Sequence, residues 1–475
     1  PVLAAARHAS CIICDCGYTR ILRLWRKKLA DESPVAVIEV EGEVVVPAKL
    51  LADKMDSFAA HFRPRLARLL SAYLEDVQTQ DVKVASLSLD PFEVLGSKDT
   101  IFHDLNAGVE HVLAALDINR SVPRVGRGGG AGDVPLRGGA TEAMRHLSLF
   151  FAAPSSSTSR PCSTPGREGG STVSICPSTY TPATPSLPAT LTSSSSPAAA
   201  GNHAGDRALD GYAAKRNNAS LRKQSHLSPY LHFGHISVVA IALQAKAFAA
   251  AHPQHQQDID VFWDELVIRR EFAVHFVIKH PHDYDTPKSL PAWALVGMRQ
   301  HEGDARPHLY THEQMEKGKT HDAYWNAAQL EMVITGKMHN YLRMYWAKQV
   351  LLWTKNIEET YAFVVTQNNK WELDGRGANA FAGIAWCFGH ADTAFPERPI
   401  FGPIRSMTPS GLEKKFDKHA IDRYVQRISI LRREIKDKLP EAISFARLAA
   451  ASNFFQKGGV AAATNMKATA STCEG

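Results

Sequence analysis

Residues 320–353 read Thr320-His321-Asp322-Ala323-Tyr324-Trp325-Asn326-Ala327-Ala328-Gln329-Leu330-Glu331-Met332-Val333-Ile334-Thr335-Gly336-Lys337-Met338-His339-Asn340-Tyr341-Leu342-Arg343-Met344-Tyr345-Trp346-Ala347-Lys348-Gln349-Val350-Leu351-Leu352-Trp353. Three tryptophans stand here among residues of the kind that cores bury, at helical spacing. Trp346 and Trp353 are seven residues apart, which on one helix places them on one face, two turns or roughly 10 Å apart. Trp325 is placed to approach that face from the preceding helix. Core packing alone accounts for such a stripe, but it is also an unusual density of oxidisable side chains.

Outward from this stretch, apolar residues recur at three- and four-residue intervals between short Gly, Pro and Asn breaks. The pattern predicts helices over 261–278, 327–335 and 341–354 within an all-helical domain spanning 206–448. Upstream the grammar changes. Residues 9–16 and 35–40 read as buried strands flanking a basic helix around 20–30, the strand–helix–strand order of a parallel α/β layer; this domain is assigned to 1–120. Residues 121–152 contain a Gly-rich linker and the start of an entry helix. Residues 153–205, rich in Ser, Thr, Pro and Ala, lack the large aliphatics needed to offset ordering entropy and read as a disordered insertion. The Ala/Ser/Thr-rich stretch 449–475 reads as a disordered tail.

The chain has 475 residues, 44% of them hydrophobic, and a formal charge of +6. That suits two or three globular domains and permits a polyanionic partner without demonstrating one. No apolar run reaches the length of a membrane span. Seven cysteines include Cys11-x-x-Cys14-x-Cys16. No downstream Cys/His pair stands at zinc spacing, so free thiols are expected, with no metal and no disulfide framework. The sequence opens on Pro1 in neither a signal nor a transit pattern, which predicts a truncated or processed start.

Several runs together resemble the class II cyclobutane pyrimidine dimer photolyases: Trp325-Asn326-Ala327-x-Gln329-x-Glu331, Gly336-Lys337-Met338-His339, Arg343-Met344-Tyr345-Trp346-Ala347-Lys348, and Leu373-Asp374-Gly375-Arg376 through Trp386. Val44-Val45-Val46-Pro47 and Phe62-Arg63-Pro64-Arg65-Leu66 extend the likeness, more weakly, into the α/β part. The resemblance implies a partial amino-terminal Rossmann-like α/β domain followed by an all-helical FAD-binding domain. The family's opening strands are absent, so apolar sheet surface is expected to be exposed and the pocket for an antenna pigment to be compromised. The resemblance also makes 141–151 and 207–216 two parts of one helix that the insertion interrupts.

The implied cofactor is FAD. Leu227-Ser228-Pro229-Tyr230-Leu231-x-Phe233-Gly234 is similar to the family's flavin-diphosphate loop, and Tyr212 to the tyrosine before it, which makes Tyr212, Ser225, Leu227 and Ser228 flavin contacts. Taken alone, hydroxyls and free amides at a helix start serve a phosphate or a simple cap equally well. Arg343 and Asp374 match the pair beside the isoalloxazine ring, and Asn368 the asparagine near its central nitrogen; without the motif, a structural salt bridge explains the pair. The resemblance makes Glu265 the lesion-contact carboxylate, a hydrogen-bond donor if protonated. Asn217, Arg269, Met344 and Trp386 complete the substrate pocket. Glu265 and Arg269, four residues apart, also suit a plain helix-face ion pair. The electron path implied is Trp346 innermost, Trp325 as bridge and Trp353 outermost. Lys337, Lys348, Arg398, Arg405, Lys414 and Lys415 supply either a DNA-tracking rim or ordinary surface charge. The family's Asp-Gly-Arg-Asp-Pro-Asn-Gly-Tyr stands here as Asp374-Gly375-Arg376-Gly377-Ala378-Asn379-Ala380-Phe381, which predicts a looser turn.

The reading is therefore a light-driven lyase that repairs pyrimidine dimers in UV-damaged DNA, expected to be monomeric, without a membrane association, and nuclear or organellar. Its rivals are a cryptochrome-like flavin photoreceptor without repair activity and an inactive, truncated DNA-binding remnant. Repair of the (6-4) photoproduct has no support, because that family's histidine-bearing motif is not found.

Overall fold

The structure is a computed structural model that describes residues 2–7, 9–54, 56–76, 136–151, 207–221 and 223–436. The insertion assigned to 153–205, the tail at 449–475, the linker up to residue 135 and the α/β assignment over 77–120 lie outside the described residues.

Strands β1 (Cys11–Asp15) and β2 (Ala36–Val40) pair in parallel, with Cys11 opposite Ala36 and Asp15 opposite Val40. Helix α1 (Arg20–Glu32) makes the crossover, as parallel pairing requires. Ile13, Ile38 and Val40 are exposed, so one small sheet carries apolar side chains into solvent. The basic residues of α1 do not form a free surface stripe. Arg20 is ion-paired with Asp285 and donates to the His282 carbonyl at 2.6 Å, and Arg23 donates to the Pro281 carbonyl at 2.6 Å. They tie the α/β unit to the helical body. Cys11, Cys14 and Cys16 are free thiols, and burial pushes the Cys16 thiol up to about 11.

The helical body has two cores. One gathers Phe62, Leu66, Phe150, Tyr230 and Phe262; the other gathers Trp325, Tyr345, Trp346, Trp353, Tyr361 and Phe388. They meet along one continuous rod. Helix α2 (Gln256–Trp263) runs into a π-turn (Asp264–Arg269) and on into α3 (Arg270–Lys279). The sequence predicts a uniform helix here. Leu266, Val267 and Ile268, consecutive within the π-turn, are all buried, as are the residues from Glu271 to Val277 in the regular helix that follows.

Asp322 starts helix α4 (Ala323–Thr335) by accepting from the amides of Tyr324 and Trp325, and Gly336, at φ 69°, ends it. A Cβ at Gly336 would lie 2.6 Å from Leu373 Cγ. Three residues later His339 caps helix α5 (Asn340–Trp353), its Nδ1 accepting from the Tyr341 amide at 3.2 Å. Burial pushes that imidazole down to about 3, which keeps it neutral and able to accept.

The interrupted helix differs from expectation. Ala140–Phe151 is helical and the Leu209 amide donates to the Phe150 carbonyl at 3.3 Å, so the chain returns beside the point where it left. Only Tyr212–Lys215 then resumes helix, because Gly211 turns the backbone at φ 69°.

Candidate active site

A cavity of about 1370 Å³ opens between the two cores. Its wall includes Tyr212, Asn217, Ser225, Leu227, Ser228, Glu265, Arg269, Arg343, Met344, Trp346, Asn368, Asp374 and Trp386. Every site residue proposed from the sequence therefore meets at one cavity except Trp325 and Trp353, which lie behind Trp346.

The loop at 225–228 owes its shape to His226, held in the left-handed region at φ 57°. A non-glycine residue there costs about 1–3 kcal/mol and persists only where surroundings enforce it. Here Lys337 does so, its Nζ 2.8 Å from His226 Nδ1. Burial pushes the Lys337 ammonium down to about 8. Lys337 thus lies in the cavity wall and not on an outer rim.

Arg343 carries two carboxylates, Glu372 at 2.8 Å and Asp374 at 3.1 Å. Burial pushes the Glu372 carboxyl up to about 8, against the pull of Arg343. For Asp374 burial acts the same way, but Arg343, the Ser228 hydroxyl and Lys337 outweigh it and hold the group below its ordinary range. Asp374 is the ionised partner. Gly375 is required beside it, because a Cβ there would lie 2.6 Å from the Asn368 carbonyl oxygen. That close approach seats the 372–376 turn against the end of helix α6 (Ile357–Trp371) and fixes Asn368, which is 5% exposed. Where the family carries aspartate, Gly377 starts the next helix, Ala378–Cys387, without a side-chain cap.

The helix-face pairing of Glu265 with Arg269 does not form. Glu265 Oε1 accepts from Arg216 Nη2 at 2.6 Å, and Arg269 Nε reaches Asp264 at 3.1 Å. Each side chain is engaged by another partner within the π-turn or across from it. Arg269 instead lays its guanidinium 4.9 Å over the Trp386 ring, which is 40% exposed.

The indoles follow in sequence. Trp346 lines the cavity; Trp325 stacks on it with centroids 6.3 Å apart and planes 13° from parallel. Trp353 meets Trp325 edge-on at 5.1 Å. Of the six basic residues weighed for a rim, Arg398 and Arg405 line the cavity and are exposed, and Lys414 and Lys415 are also exposed. Lys348 is interior, donating to the carbonyls of Cys387 at 2.5 Å and Arg405 at 2.6 Å.

No family model matches the chain. A deoxyribodipyrimidine photo-lyase of Methanothermobacter thermautotrophicus is 33% identical over 427 residues, covering 90% of this chain and 76% of that protein. The chain belongs to the deoxyribodipyrimidine photo-lyase family. A rice protein of the same name is 44% identical over 223 residues, 46% of this chain and 43% of the rice protein, so that alignment spans less than half the length of the plant relative. A cryptochrome of Synechocystis sp. PCC6803 shares the fold, with a TM-score of 0.51 and 16% identity over 90% of this chain and 70% of that one.

Within this photolyase-family cavity, sequence reasoning overlooked Arg216, Arg270 and Glu372. Each adjoins or nearly adjoins a chosen residue, Asn217, Arg269 and Asp374, so the signal was present. Arg270 also presents a buried Nη1 that has no hydrogen-bond partner among the described residues.

Proposed function

We propose that the chain is a class II-type photolyase that binds FAD and repairs cyclobutane pyrimidine dimers in UV-damaged DNA under light. One observation carries the reading: the residues suited to a flavin and those suited to a flipped lesion share a single cavity, with Trp346 in its wall.

The cavity fits the cofactor. It exceeds the several hundred Å³ typical of small-ligand sites, and its donor set is cationic where a diphosphate and an electron-rich ring need it, through Lys337, Arg343 and the unpartnered Nη1 of Arg270. Tyr212, Ser225, Leu227, Ser228, Arg343, Asn368 and Asp374 would hold the group. When bound and reduced, FAD supplies the photoexcited electron that opens the cyclobutane ring and then receives it back.

The chain's own residues do the rest. Arg343, neutralised by Asp374, presents donors without adding net charge to a buried site. Glu265, steadied by Arg216, faces the substrate side with Asn217 and Met344. Arg269 and Trp386 form a stacked wall, suited to an extruded base. Arg398 and Arg405 at the mouth suit phosphates.

The test is dimer loss in an irradiated oligothymidylate, followed by chromatography with chemically reduced protein under blue light and in the dark. Light-dependent loss is expected. Stoichiometric flavin with no loss of dimer in the light would favour the photoreceptor reading, and no retained flavin would favour the inactive remnant.

A further inference from the structure

Gln329 stands where the helices of the two inner indoles meet. It is fully buried, on α4 one turn after Trp325, and its amide engages three partners. Nε2 donates to the Glu316 carbonyl at 3.1 Å and to Gln367 Oε1 at 3.1 Å, while Oε1 accepts from Trp346 Nε1 at 2.8 Å. The two ends of the amide are not interchangeable. A backbone carbonyl only accepts and an indole N–H only donates, so the nitrogen must face Glu316 and the oxygen must face Trp346. Gln367 is 3% exposed and precedes Asn368 on α6, so the same side chain ties the inner indole to the helix that carries Asn368.

Trp325 repeats the arrangement, its Nε1 donating to the Trp346 backbone carbonyl at 2.9 Å. Both acceptors are therefore amide oxygens, which accept a hydrogen bond but are far too weakly basic to keep its proton. Asp322, the buried carboxylate at the head of α4, receives the amides of Tyr324 and Trp325 and the Tyr345 hydroxyl, and neither indole N–H. Trp325 and Trp346 are both buried, so water does not replace the missing base.

We propose that Gln329 is a positioning residue for light-driven electron transfer: it gives the Trp346 N–H an acceptor that cannot take the proton, and so keeps an oxidised Trp346 as a mobile radical cation. The proposal rests on the photolyase reading, in which light draws an electron along the tryptophans towards the cavity. An indole that has lost an electron becomes a strong N–H acid, and a base within hydrogen-bond reach would take its proton. The neutral radical left behind would be stranded, because refilling it from Trp325 would require the proton back. With Gln329 in place the steps balance without any proton. One electron leaves Trp346 for the photoexcited flavin, and one electron then passes from Trp325 to Trp346. Trp346 returns to neutral tryptophan with its N–H intact, and the positive charge has moved to Trp325.

The experiment is flash photolysis of flavin-loaded protein in the Trp325→Phe background, where the hole cannot leave Trp346. Gln329 is compared with Gln329→His, Gln329→Glu and Gln329→Met. Histidine offers the indole a base and keeps a second N–H for the Glu316 carbonyl; methionine keeps volume and offers no base. With Gln329 intact, the tryptophan cation should decay wholly by recombination, at the same rate in H2O and D2O. Gln329→His should convert it to a neutral tryptophanyl radical, distinguished by transient absorption, that outlives the cation at least about tenfold. Gln329→Glu, read above its titration range, is the second base and decides the matter if the histidine variant does not fold. Gln329→Met should give no neutral radical, whereas a merely structural role would make methionine and histidine act alike. A neutral radical with Gln329 intact or with methionine would overturn the proposal, as would its absence from both base variants. A parallel arm uses flavin-free protein labelled at the indole nitrogens, in which NMR should find the Trp346 N–H exchanging with solvent roughly a hundredfold more slowly than in Gln329→Met. Equal exchange would overturn the proposal. If the flash yields no tryptophan cation in wild type, the photolyase reading fails, while the exchange arm still decides whether Gln329 seals the indole proton.

Discussion

The indole N–H of Trp325 donates to the backbone carbonyl of Trp346 across 2.9 Å, so two stacked rings are also joined by a polar contact between α4 and α5. Trp346 in turn donates to Gln329 Oε1 at 2.8 Å. Neither ring is free to rotate. Trp325→Phe keeps an aromatic ring but loses the donor and some volume, at an expected cost of about 1–3 kcal/mol in thermal unfolding. Light-driven reduction of bound flavin should nearly vanish, while repair by chemically reduced protein survives. Loss of repair in the pre-reduced variant would count against an electron-path role.

Arg343 lies between Glu372 and Asp374, of which Asp374 is the ionised partner. Arg343→Met removes the arginine partner of the ionised Asp374 and leaves Lys337 as its remaining cation, which should cost about 3 kcal/mol. Unfolding monitored by circular dichroism should show the deficit shrinking as pH falls and Asp374 takes up a proton. A pH-independent deficit would argue that lost packing, and not charge, is responsible.

Glu271 is 3% exposed and accepts from the amides of Val45 at 2.8 Å and Val46 at 3.4 Å, joining α3 to the α/β unit. Burial outweighs those bonds and pushes its carboxyl from 4.5 up to about 7. The folded chain therefore keeps a proton that the unfolded chain releases. The group's stabilising share is full below pH 4.5, declines from there to about pH 7, and is flat above, a span of about 3 kcal/mol. Glu271→Gln retains an oxygen for Val45 and cannot ionise. Its Tm should exceed that of wild type above pH 7 and converge on it near pH 4.5; parallel Tm curves would refute this account.

Arg269 covers the face of Trp386. Arg269→Lys keeps the charge but loses the planar stack, so affinity for a dimer-containing oligonucleotide should fall by about 0.5–2 kcal/mol. Affinity for undamaged duplex should change less, and equal losses on both would mark Arg269 as a phosphate contact only.

What was legible in the sequence is what local pattern controls. The strands read at 9–16 and 35–40 appear at 11–15 and 36–40, and the helices read at 327–335 and 341–354 appear at 323–335 and 340–353. The cavity residues were legible because they travel in motifs. Pairing was not. Glu265 pairs with Arg216, 49 positions away, and not with Arg269, four away, which pairs with Asp264. Lys348 reads as surface charge, yet the backbone carbonyls of Cys387, at a helix end, and Arg405 satisfy it inside the core. The likeness of Glu372 to an ordinary acidic neighbour hid its share of Arg343. Such outcomes depend on which elements meet, and periodicity carries no record of that.

The small sheet has a consequence for handling the protein. Ile13, Ile38 and Val40, with Leu24 and Trp25 on α1, are all exposed, and among the described residues the sheet has two strands, with no further strand on either edge. Open edges flanked by aliphatic side chains template pairing between molecules. Colloidal behaviour should therefore be set by this corner and not by the charged cavity: light scattering should rise with protein concentration and with kosmotropic salt, and Ile13→Lys should suppress the rise without altering the helical body.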